Sequence, residues 1–285
     1  MSDPLLRARA AELEAARVPY VEALVVSAHA PTSVRPGARA LVLGDGRMEG
    51  FVGGACAEPS VRLHALRALE TGEPLLLRIA PGDGAAPARD GVLTVANPCL
   101  SGGVLEVFLE PRLPAARLLV AGTTPIARAV LALGAAAGFA ASEHGHAPAV
   151  DDAVVVATQG GDEAPLVEAA VQAGAAYVGL VASRARAATV LAATGLDAAG
   201  RERVHAPAGL DIHARTPEEI ALAILAEIVR ERRSHAEVPR AASAVAVDPV
   251  CGMTVAVTGA TPRATHDGRT VYFCGPGCAA RYAHA

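Results

Sequence analysis

The segment from Leu118 to Ser142 constrains the fold of this chain more than any other. A short apolar run over 118–121 meets Gly122, and apolar residues then recur at helical spacing until Gly138. A buried strand, a glycine turn and a helix in this order form the first unit of dinucleotide-binding α/β domains, in which the sheet is parallel. The segment therefore predicts a Rossmann-like domain.

The glycine turn carries an incomplete form of the G-x-G-x-x-G phosphate-binding motif. Its three positions hold Gly122, Thr124 and Ala127, so a side chain stands where the second glycine would let the backbone approach a pyrophosphate. Glu143 lies 21 residues after Gly122, at the distance expected of an acid that binds a ribose. The sequence favours a scaffold without a bound dinucleotide. The alternative is an NAD(P)-binding oxidoreductase that uses Gly122, Thr123, Thr124 and Glu143.

Length and charge narrow the class of protein. A chain of 285 residues has room for two domains and a small third one, and its 52% hydrophobic content can fill their cores. The net charge of −4 gives no indication of nucleic-acid binding. The longest nearly apolar run, 129–141, is too short to span a membrane, and the polar N-terminus does not resemble a signal peptide. We therefore expect a cytoplasmic protein whose cysteines serve metal or reactive chemistry before disulfides.

Prolines and glycines mark the boundaries between the parts of this α/β chain. Pro111 and Pro114 separate an N-terminal α+β segment, with a hairpin signal at Asp45-Gly46, from the Rossmann-like segment. The last helix of the second segment has a capping box that begins at Thr216. We therefore expect four parts: an N-terminal α+β domain over 1–112, a Rossmann-like parallel-sheet domain over 113–233, a linker over 234–247 and a small C-terminal module over 248–285.

Two cysteines lie beside glycine pairs at predicted strand ends. Cys56 follows the glycine pair 53–54, and Cys99 precedes the glycine pair 102–103. Paired glycines allow a close backbone approach or a positive φ. A cysteine just before the helix expected from Pro59 is also favoured as a thiolate. Two interpretations stay open for these positions: reactive thiolates, or small buried residues at tight turns.

Six ordered motifs cover both of the larger predicted domains. They are RPGAR at 35–39, GGACAE at 53–58, Cys99 together with 102–111, GLVASR at 179–184, PAGLDI at 207–212 and TPEEI at 216–220. With these motifs, residues from about 20 to 233 resemble the XdhC/CoxI family. That family comprises accessory and maturation factors of xanthine dehydrogenase and carbon monoxide dehydrogenase.

The resemblance implies cofactor maturation by a non-catalytic accessory protein. Members of the family bind molybdenum cofactor, as molybdopterin or its cytosine dinucleotide, and help to deliver it to a molybdenum hydroxylase large subunit. The sulfuration machinery with its cysteine desulfurase is an implied partner, and a homodimer is compatible with this role. Soft thiolates suit a molybdenum–sulfur cofactor, and arginine forks suit its phosphate. The implied cofactor-binding residues, with Cys56 as the main contact, are Cys56, Cys99, Gly53, Gly54, Glu58, Arg35, Arg39, Gly102 and Gly103.

The C-terminal module carries the other three cysteines. Cys251, Cys274 and Cys278 have the spacing C-x22-C-x3-C, and the segments around them resemble a YHS domain, a small treble-clef-like metal-binding module. About 38 residues are too few to form a stable hydrophobic core, and a domain of that size is usually stabilised by a bound metal. Three thiolates favour zinc or copper(I), with His266 as the candidate fourth ligand. The alternatives are a metal-free module with a small cysteine core, or a metal sensor or carrier that acts through this module.

Overall fold

The computed structural model describes residues 3–54, 57–82, 91–97, 103–145, 147–236, 244–266 and 269–284. The chain forms two compact units. The first unit joins Met1–Pro114 to Pro239–Ala285, and the second unit comprises Ala115–Val238. Among the described residues, no helix combines the length and the apolar character that a bilayer crossing requires.

In the described part of the first unit, six strands form one mixed sheet. Helices α1 (Asp3–Ala15) and α2 (Glu58–Thr71) pack on it. The strands are β1 (Tyr20–His29), β2 (Arg39–Leu43), β3 (Met48–Gly50), β4 (Leu75–Pro81), β5 (Val92–Asn97) and β6 (Val104–Arg112). The order across the sheet is β3-β2-β1-β6-β4-β5, and neighbouring strands are antiparallel except for β4 and β5.

The two helices cover opposite faces of this sheet because side chains alternate along each strand. Tyr20 at the start of β1 is buried with Leu6 of α1. Its neighbour Val21 points to the other face and is buried with Val61 of α2. The larger cluster of buried residues lies on the α2 side, so α2 closes the main core of the first unit.

The described strands of the second unit form a parallel sheet. They are β7 (Arg117–Ala121), β8 (Ala140–Glu143), β9 (Ala153–Val156), β10 (Tyr177–Leu180) and β11 (Val204–His205), in the order β11-β10-β9-β7-β8. The helices are α3 (Pro125–Ala136), α4 (Glu163–Gln172), α5 (Arg184–Ala192), α6 (Ala198–Glu202) and α7 (Pro217–Ala236). Because β7, Gly122 and α3 follow one another in this parallel sheet, the predicted strand–glycine–helix unit is confirmed.

Both faces of the parallel sheet are buried, which explains the continuous apolar runs of its strands. Val120 of β7 faces a cluster that contains Val130 of α3 and Ile224 of α7. Its neighbour Leu119 faces the opposite cluster, which contains Val167 of α4. The second unit is therefore a three-layer α/β domain, with helices on each side of the sheet.

Helix α7 begins at the predicted capping box. The N–H of Glu219 donates to Thr216 Oγ1 at 3.2 Å, and the N–H of Thr216 donates to the Glu219 carboxylate at 3.0 Å. The helix continues to Ala236, three residues into the expected linker 234–247. Strand β12 (Val245–Val247) takes up the other end of that linker, so regular structure occupies both of its ends.

The C-terminal module packs on α2 of the first unit. It consists of the hairpin of β12 and β13 (Thr254–Ala256), the hairpin of β14 (Arg263–His266) and β15 (Arg269–Tyr272), and α8 (Pro276–Ala283). Ala256 is buried with Leu63 and Leu66 of α2. The β2–β3 hairpin, confirmed at Asp45-Gly46, also meets the module, because a Cβ on Gly46 would lie 2.8 Å from the Thr258 side chain.

Candidate functional site

The two glycine turns beside the first cysteines approach the same loop of the first unit. A Cβ on Gly103 would come within 2.2 Å of the carbonyl oxygen of Pro31, and one on Gly54 would lie 3.5 Å from Ser33 Oγ. Gly103 therefore admits no side chain, and both turns border the loop 31–33. Three of the predicted cofactor-binding residues lie outside the part of the chain that the structure describes: Cys56, Cys99 and Gly102.

Gly53 and Glu58 shape the first of these turns. Gly53 has a φ of +155°, and a Cβ there would lie 2.7 Å from the Cβ of Ala57. The Glu58 carboxylate pairs with Arg62 one turn along α2, and Arg62 Nε also donates to the Gly46 carbonyl at 2.8 Å. Glu58 is thus engaged by its own helix. In the structure, Gly53 shapes the turn and Glu58 stabilises the start of α2.

The two predicted phosphate-binding arginines have different surroundings. Arg39, at the start of β2, pairs with Glu22 of β1 and lies 3.7 Å from the Asp3 carboxylate. Arg35 is exposed, follows the loop 31–33 directly and has no ion-pair partner among the described residues. Since only Arg35 keeps its guanidinium uncommitted, it is the better of the two candidates for an anion beside the glycine turns.

At the nucleotide-type turn, Gly122 and Thr124 contact the end of strand β9. Gly122 has a φ of +115°, and a Cβ there would lie 2.3 Å from the Ala157 carbonyl oxygen. Thr124 is the N-cap of α3: its Oγ1 accepts from the Ala127 N–H at 3.1 Å and donates to the Ala157 carbonyl at 2.9 Å. The threonine that interrupts the glycine motif therefore ties the helix start to the neighbouring strand.

Glu143 and the turn lie at the same edge of the parallel sheet. Glu143 is the last residue of β8, is exposed and pairs in register with Val120 of β7. The carbonyl of Thr123 accepts a hydrogen bond from Arg128 Nη1 at 2.8 Å. The carboxyl ends of parallel strands are where α/β sheets bind ligands, so the structure brings the four residues of the nucleotide-type turn to one place.

The three cysteines of the C-terminal module converge. Cys274 Sγ lies 3.6 Å from Cys251 Sγ and 3.5 Å from Cys278 Sγ. These distances are too long for disulfides, but a tetrahedral site with Zn–S bonds of about 2.3 Å places its sulfur atoms about 3.8 Å apart. Together with Asp248, the ligand atoms all lie within 4.8 Å of one another. We call these four residues the cysteine cluster.

Asp248 is the member of the cysteine cluster that sequence reasoning missed. Its carboxylate is fully buried and accepts hydrogen bonds from the backbone N–H groups of Cys274 at 2.7 Å and Val250 at 2.8 Å. Burial alone would raise the pKa of the Asp248 carboxyl, but these hydrogen bonds hold it below its ordinary value. Asp248 therefore fixes the two cysteine-bearing segments beside each other. The only signal in the sequence was its position three residues before Cys251.

The surroundings of Cys274 and Cys278 favour the protonated form of these two thiols. Burial raises the pKa of the Cys274 thiol well above its ordinary value, and neighbouring Asp248 raises it further. Burial likewise raises the pKa of Cys278. A bound metal reverses this effect because it deprotonates the thiols that coordinate it. The donor set fits a thiophilic ion. The backbone of His266 ends β14, while its side chain lies outside the described residues.

A buried carboxylate organises one side of the second unit and was also missed. Glu227 Oε2 of α7 accepts from the Tyr177 hydroxyl at 2.8 Å and from the Gly209 N–H at 2.8 Å. The ring of His205 stacks on Tyr177 at 4.6 Å, and its Nδ1 lies 3.4 Å from Glu227 Oε1. This network ties the segment after β11, which carries the PAGLDI motif, to the last helix.

Two family models match the chain. One describes the XdhC Rossmann domain and matches residues 118–228, and the other describes the XdhC and CoxI family and matches residues 13–80. Together these matches cover more than half of the chain. They define the second unit as a Rossmann domain of the XdhC type. The chain belongs to the XdhC and CoxI family, as its motifs indicated, whereas the YHS resemblance of the C-terminal module stays a prediction.

Two individual proteins are also similar to the chain. The uncharacterised protein YqeB of Escherichia coli (strain K12) is 29% identical over 257 residues, which cover 79% of this chain and 46% of YqeB. The chain thus spans less than half of the length of this curated relative. The crystal structure of a xanthine dehydrogenase from Bacillus halodurans aligns with a TM-score of 0.40 at 17% identity, over 82% of this chain and 96% of the other.

Proposed function

We propose that this protein is an accessory factor that binds molybdenum cofactor and assists its insertion into a molybdenum hydroxylase of the xanthine or carbon monoxide dehydrogenase type. Membership in the XdhC and CoxI family supports an accessory role. The observation that carries the proposal is local: Gly103, four residues after Cys99, and Gly54, two residues before Cys56, both border the loop 31–33. We therefore assign the two thiols and Arg35 to one cofactor site in the first unit.

In this proposal, different residues around the loop 31–33 contact different parts of the cofactor. Cys56 and Cys99 supply thiolates, which suit the soft molybdenum–sulfur part. Arg35 supplies the guanidinium for the phosphate, since Arg39 is already paired with Glu22. Gly103 lets the chain pass against the Pro31 carbonyl without a side chain between them. When bound, the cofactor brings the redox-active metal centre that the recipient hydroxylase requires.

This arrangement fits a protein that delivers the cofactor rather than an enzyme that turns over a substrate. A donor protein must hold the cofactor until a recipient docks, and must release it afterwards. The recipient in this proposal is the large subunit of the hydroxylase, and a cysteine desulfurase supplies the sulfur for sulfuration. The protein itself carries out no catalytic step.

A transfer assay tests the delivery role. Cofactor-free molybdenum hydroxylase is incubated anaerobically with molybdenum cofactor, with and without this protein, and the rate of hydroxylase activation is measured. We expect faster activation with the intact protein and no acceleration with Cys56→Ser. Arg47→Gln, at an exposed arginine that pairs with Asp45 in the β2–β3 hairpin, serves as the control and keeps the effect. Equal activation with and without the protein would contradict delivery.

For the C-terminal module we propose a bound zinc or another thiophilic ion in the cysteine cluster. The three thiols supply a donor set with the spacing of a tetrahedral site. Asp248 is already engaged by backbone amides, so it contributes chiefly by positioning Cys251 and Cys274. In this view the metal supports the fold of the module, which is too small to hold a core alone.

A second candidate function is NAD(P) binding by the second unit. The observation that favours it is the shared position of Gly122 and Glu143 at the carboxyl edge of the sheet. A fluorescence titration with NADPH tests it, with Glu143→Gln as the variant that removes the ribose-binding acid. Saturable binding that weakens in the variant would support a redox role, and no binding would leave the Rossmann domain as a scaffold.

A further inference from the structure

A cavity of about 520 Å³ lies in the first unit between α2, the β4–β5 pair and the C-terminal module. We call it the α2 pocket. Its volume is typical of sites that hold a small organic ligand. It is a different region from the loop 31–33, because its helical wall is formed by residues 60–67 and its other walls by β5 and the segment 251–254.

Three polar side chains of α2 face the α2 pocket. Ser60, His64 and Arg67 are four and three residues apart, so they share one face of the helix. His64 is only 6% exposed, yet its ring nitrogens are not among the buried polar atoms that lack a partner, so they are open to the cavity. Water in the cavity can bond to these nitrogens, and a ligand that replaces that water can accept the imidazole N–H in its place.

Among the described residues that line the α2 pocket, Arg67 is the one that carries a full charge. Arg67 is exposed at the border of the pocket and makes no ion pair within the described part of the chain. No carboxylate is among the described residues that line the pocket, and the nearby Asp248 carboxylate is occupied by backbone amides. The pocket thus offers a guanidinium fork, a hydroxyl and an imidazole N–H, which together suit an oxyanion.

Most of the remaining wall of the α2 pocket is apolar, although Cys251 and Thr254 also line it. Leu63 of α2, Leu93 and Val95 of β5 and Met253 of the module line it. An apolar wall beside a few convergent polar groups is the usual make-up of a small-molecule site, in which the wall takes the body of the ligand and the polar groups fix its orientation.

We propose that the α2 pocket binds a small aromatic phosphate monoester. Arg67 and Ser60 hold the phosphate, His64 donates its N–H to it, and the apolar wall contacts the ring. The binding site exists only when the C-terminal module is docked, because the module supplies Cys251 and Met253. The proposal does not depend on the delivery of molybdenum cofactor.

Isothermal titration calorimetry of the full chain with phenyl phosphate tests the proposal. We expect saturable binding of one ligand per chain, and affinity at least about tenfold weaker for inorganic phosphate, which lacks the ring, and for phenol, which lacks the charge. Arg67→Gln should weaken phenyl phosphate binding about tenfold or more, as expected for the loss of a hydrogen bond to a charged group. His64→Leu should weaken it as well.

Arg47→Gln is the matched control, because Arg47 is an exposed arginine that pairs with Asp45 in the β2–β3 hairpin, outside the pocket. It should bind phenyl phosphate as the unaltered chain does. Because Arg67 is exposed, its variant keeps the fold, which circular dichroism verifies. No saturable binding, unchanged binding in Arg67→Gln, or equal affinity for phenyl phosphate and inorganic phosphate would overturn the proposal.

Discussion

The sulfur atoms of Cys251 and Cys274 lie 3.6 Å apart, although 22 residues separate them in the chain. Asp248 maintains this approach through its hydrogen bonds to the backbone of both cysteine-bearing segments. The hydrogen bonds of the protein itself therefore place the two thiols side by side. That preorganisation makes metal binding by the C-terminal module directly testable.

Metal binding should compete with protons at these thiols. Because the pKa values of Cys274 and Cys278 are raised, zinc must displace protons that are held firmly, and affinity should fall at least about tenfold per pH unit as the pH is lowered. Competition with a chromophoric chelator at pH 8 and pH 6.5 measures this. One zinc per chain is expected. Cys274→Ser should lose it while Cys56→Ser keeps it, and pH-independent affinity would rule out thiolate coordination.

The fold of the first unit should weaken in acid because of His64. Burial and the charge of Arg67 lower the pKa of His64 from 6.5 to about 4. Between these values the unfolded chain binds a proton that the folded chain does not, so stability falls as the pH drops through this range. His64→Gln should reduce the loss of unfolding free energy between pH 7 and pH 4.5 by about 2–3 kcal/mol.

Urea denaturation at pH 7 and at pH 4.5 measures the unfolding free energy of the unaltered chain and of His64→Gln. His284→Gln, at the exposed end of the chain, is the control and should lose as much stability in acid as the unaltered protein. An equal acid-induced loss in His64→Gln would show that the His64 ring titrates normally.

The Gly122 turn should tolerate no side chain. Alanine there would combine a φ of +115° with a Cβ only 2.3 Å from the Ala157 carbonyl oxygen, so Gly122→Ala should destabilise the second unit by more than about 2 kcal/mol. Gly138→Ala is the matched control: its φ is +84°, but nothing lies within 4 Å of the added Cβ, so it should cost only about 1 kcal/mol. Equal shifts of the urea midpoint would refute the steric argument.

The Tyr177 hydroxyl should stabilise the second unit through Glu227. Tyr177→Phe removes a 2.8 Å hydrogen bond to a buried carboxylate, and leaves that carboxylate with fewer donors. A loss of about 1–2 kcal/mol follows from the ordinary value of such bonds. Tyr272→Phe, at a half-buried tyrosine of β15, should change the thermal midpoint far less. If the Tyr177→Phe protein were as stable as the unaltered chain, the role of Glu227 in organising the second unit would be refuted.

The parts of the fold that local sequence patterns determine were predictable. The apolar run before Gly122, the capping box at Thr216 and the turn dipeptide Asp45-Gly46 each specify structure within a few residues, and each appears as expected. The convergence of Cys251, Cys274 and Cys278 was predictable for a different reason, because a module of this size usually needs a bound metal to stabilise it and three cysteines are suitable ligands.

The features that the sequence did not reveal depend on contacts between distant residues. Tyr177 and Glu227 are 50 residues apart, and nothing local distinguishes Glu227 from the exposed acids of α7. Arg39 looked available for a phosphate until the register of β1 and β2 placed it beside Glu22. The α2 pocket arises only from the docking of the C-terminal module on α2, which no motif in either segment encodes.

Direct binding of molybdenum cofactor tests the central claim most sharply. The full chain is incubated with the cofactor without oxygen, bound and free fractions are separated, and the bound pterin is oxidised to its fluorescent form and counted. We expect about one pterin per chain, retained in Arg39→Gln, and lost in Cys56→Ser and in Arg35→Gln. A chain that binds no pterin, or a Cys56→Ser variant that binds it normally, would contradict cofactor delivery through the turns around the loop 31–33.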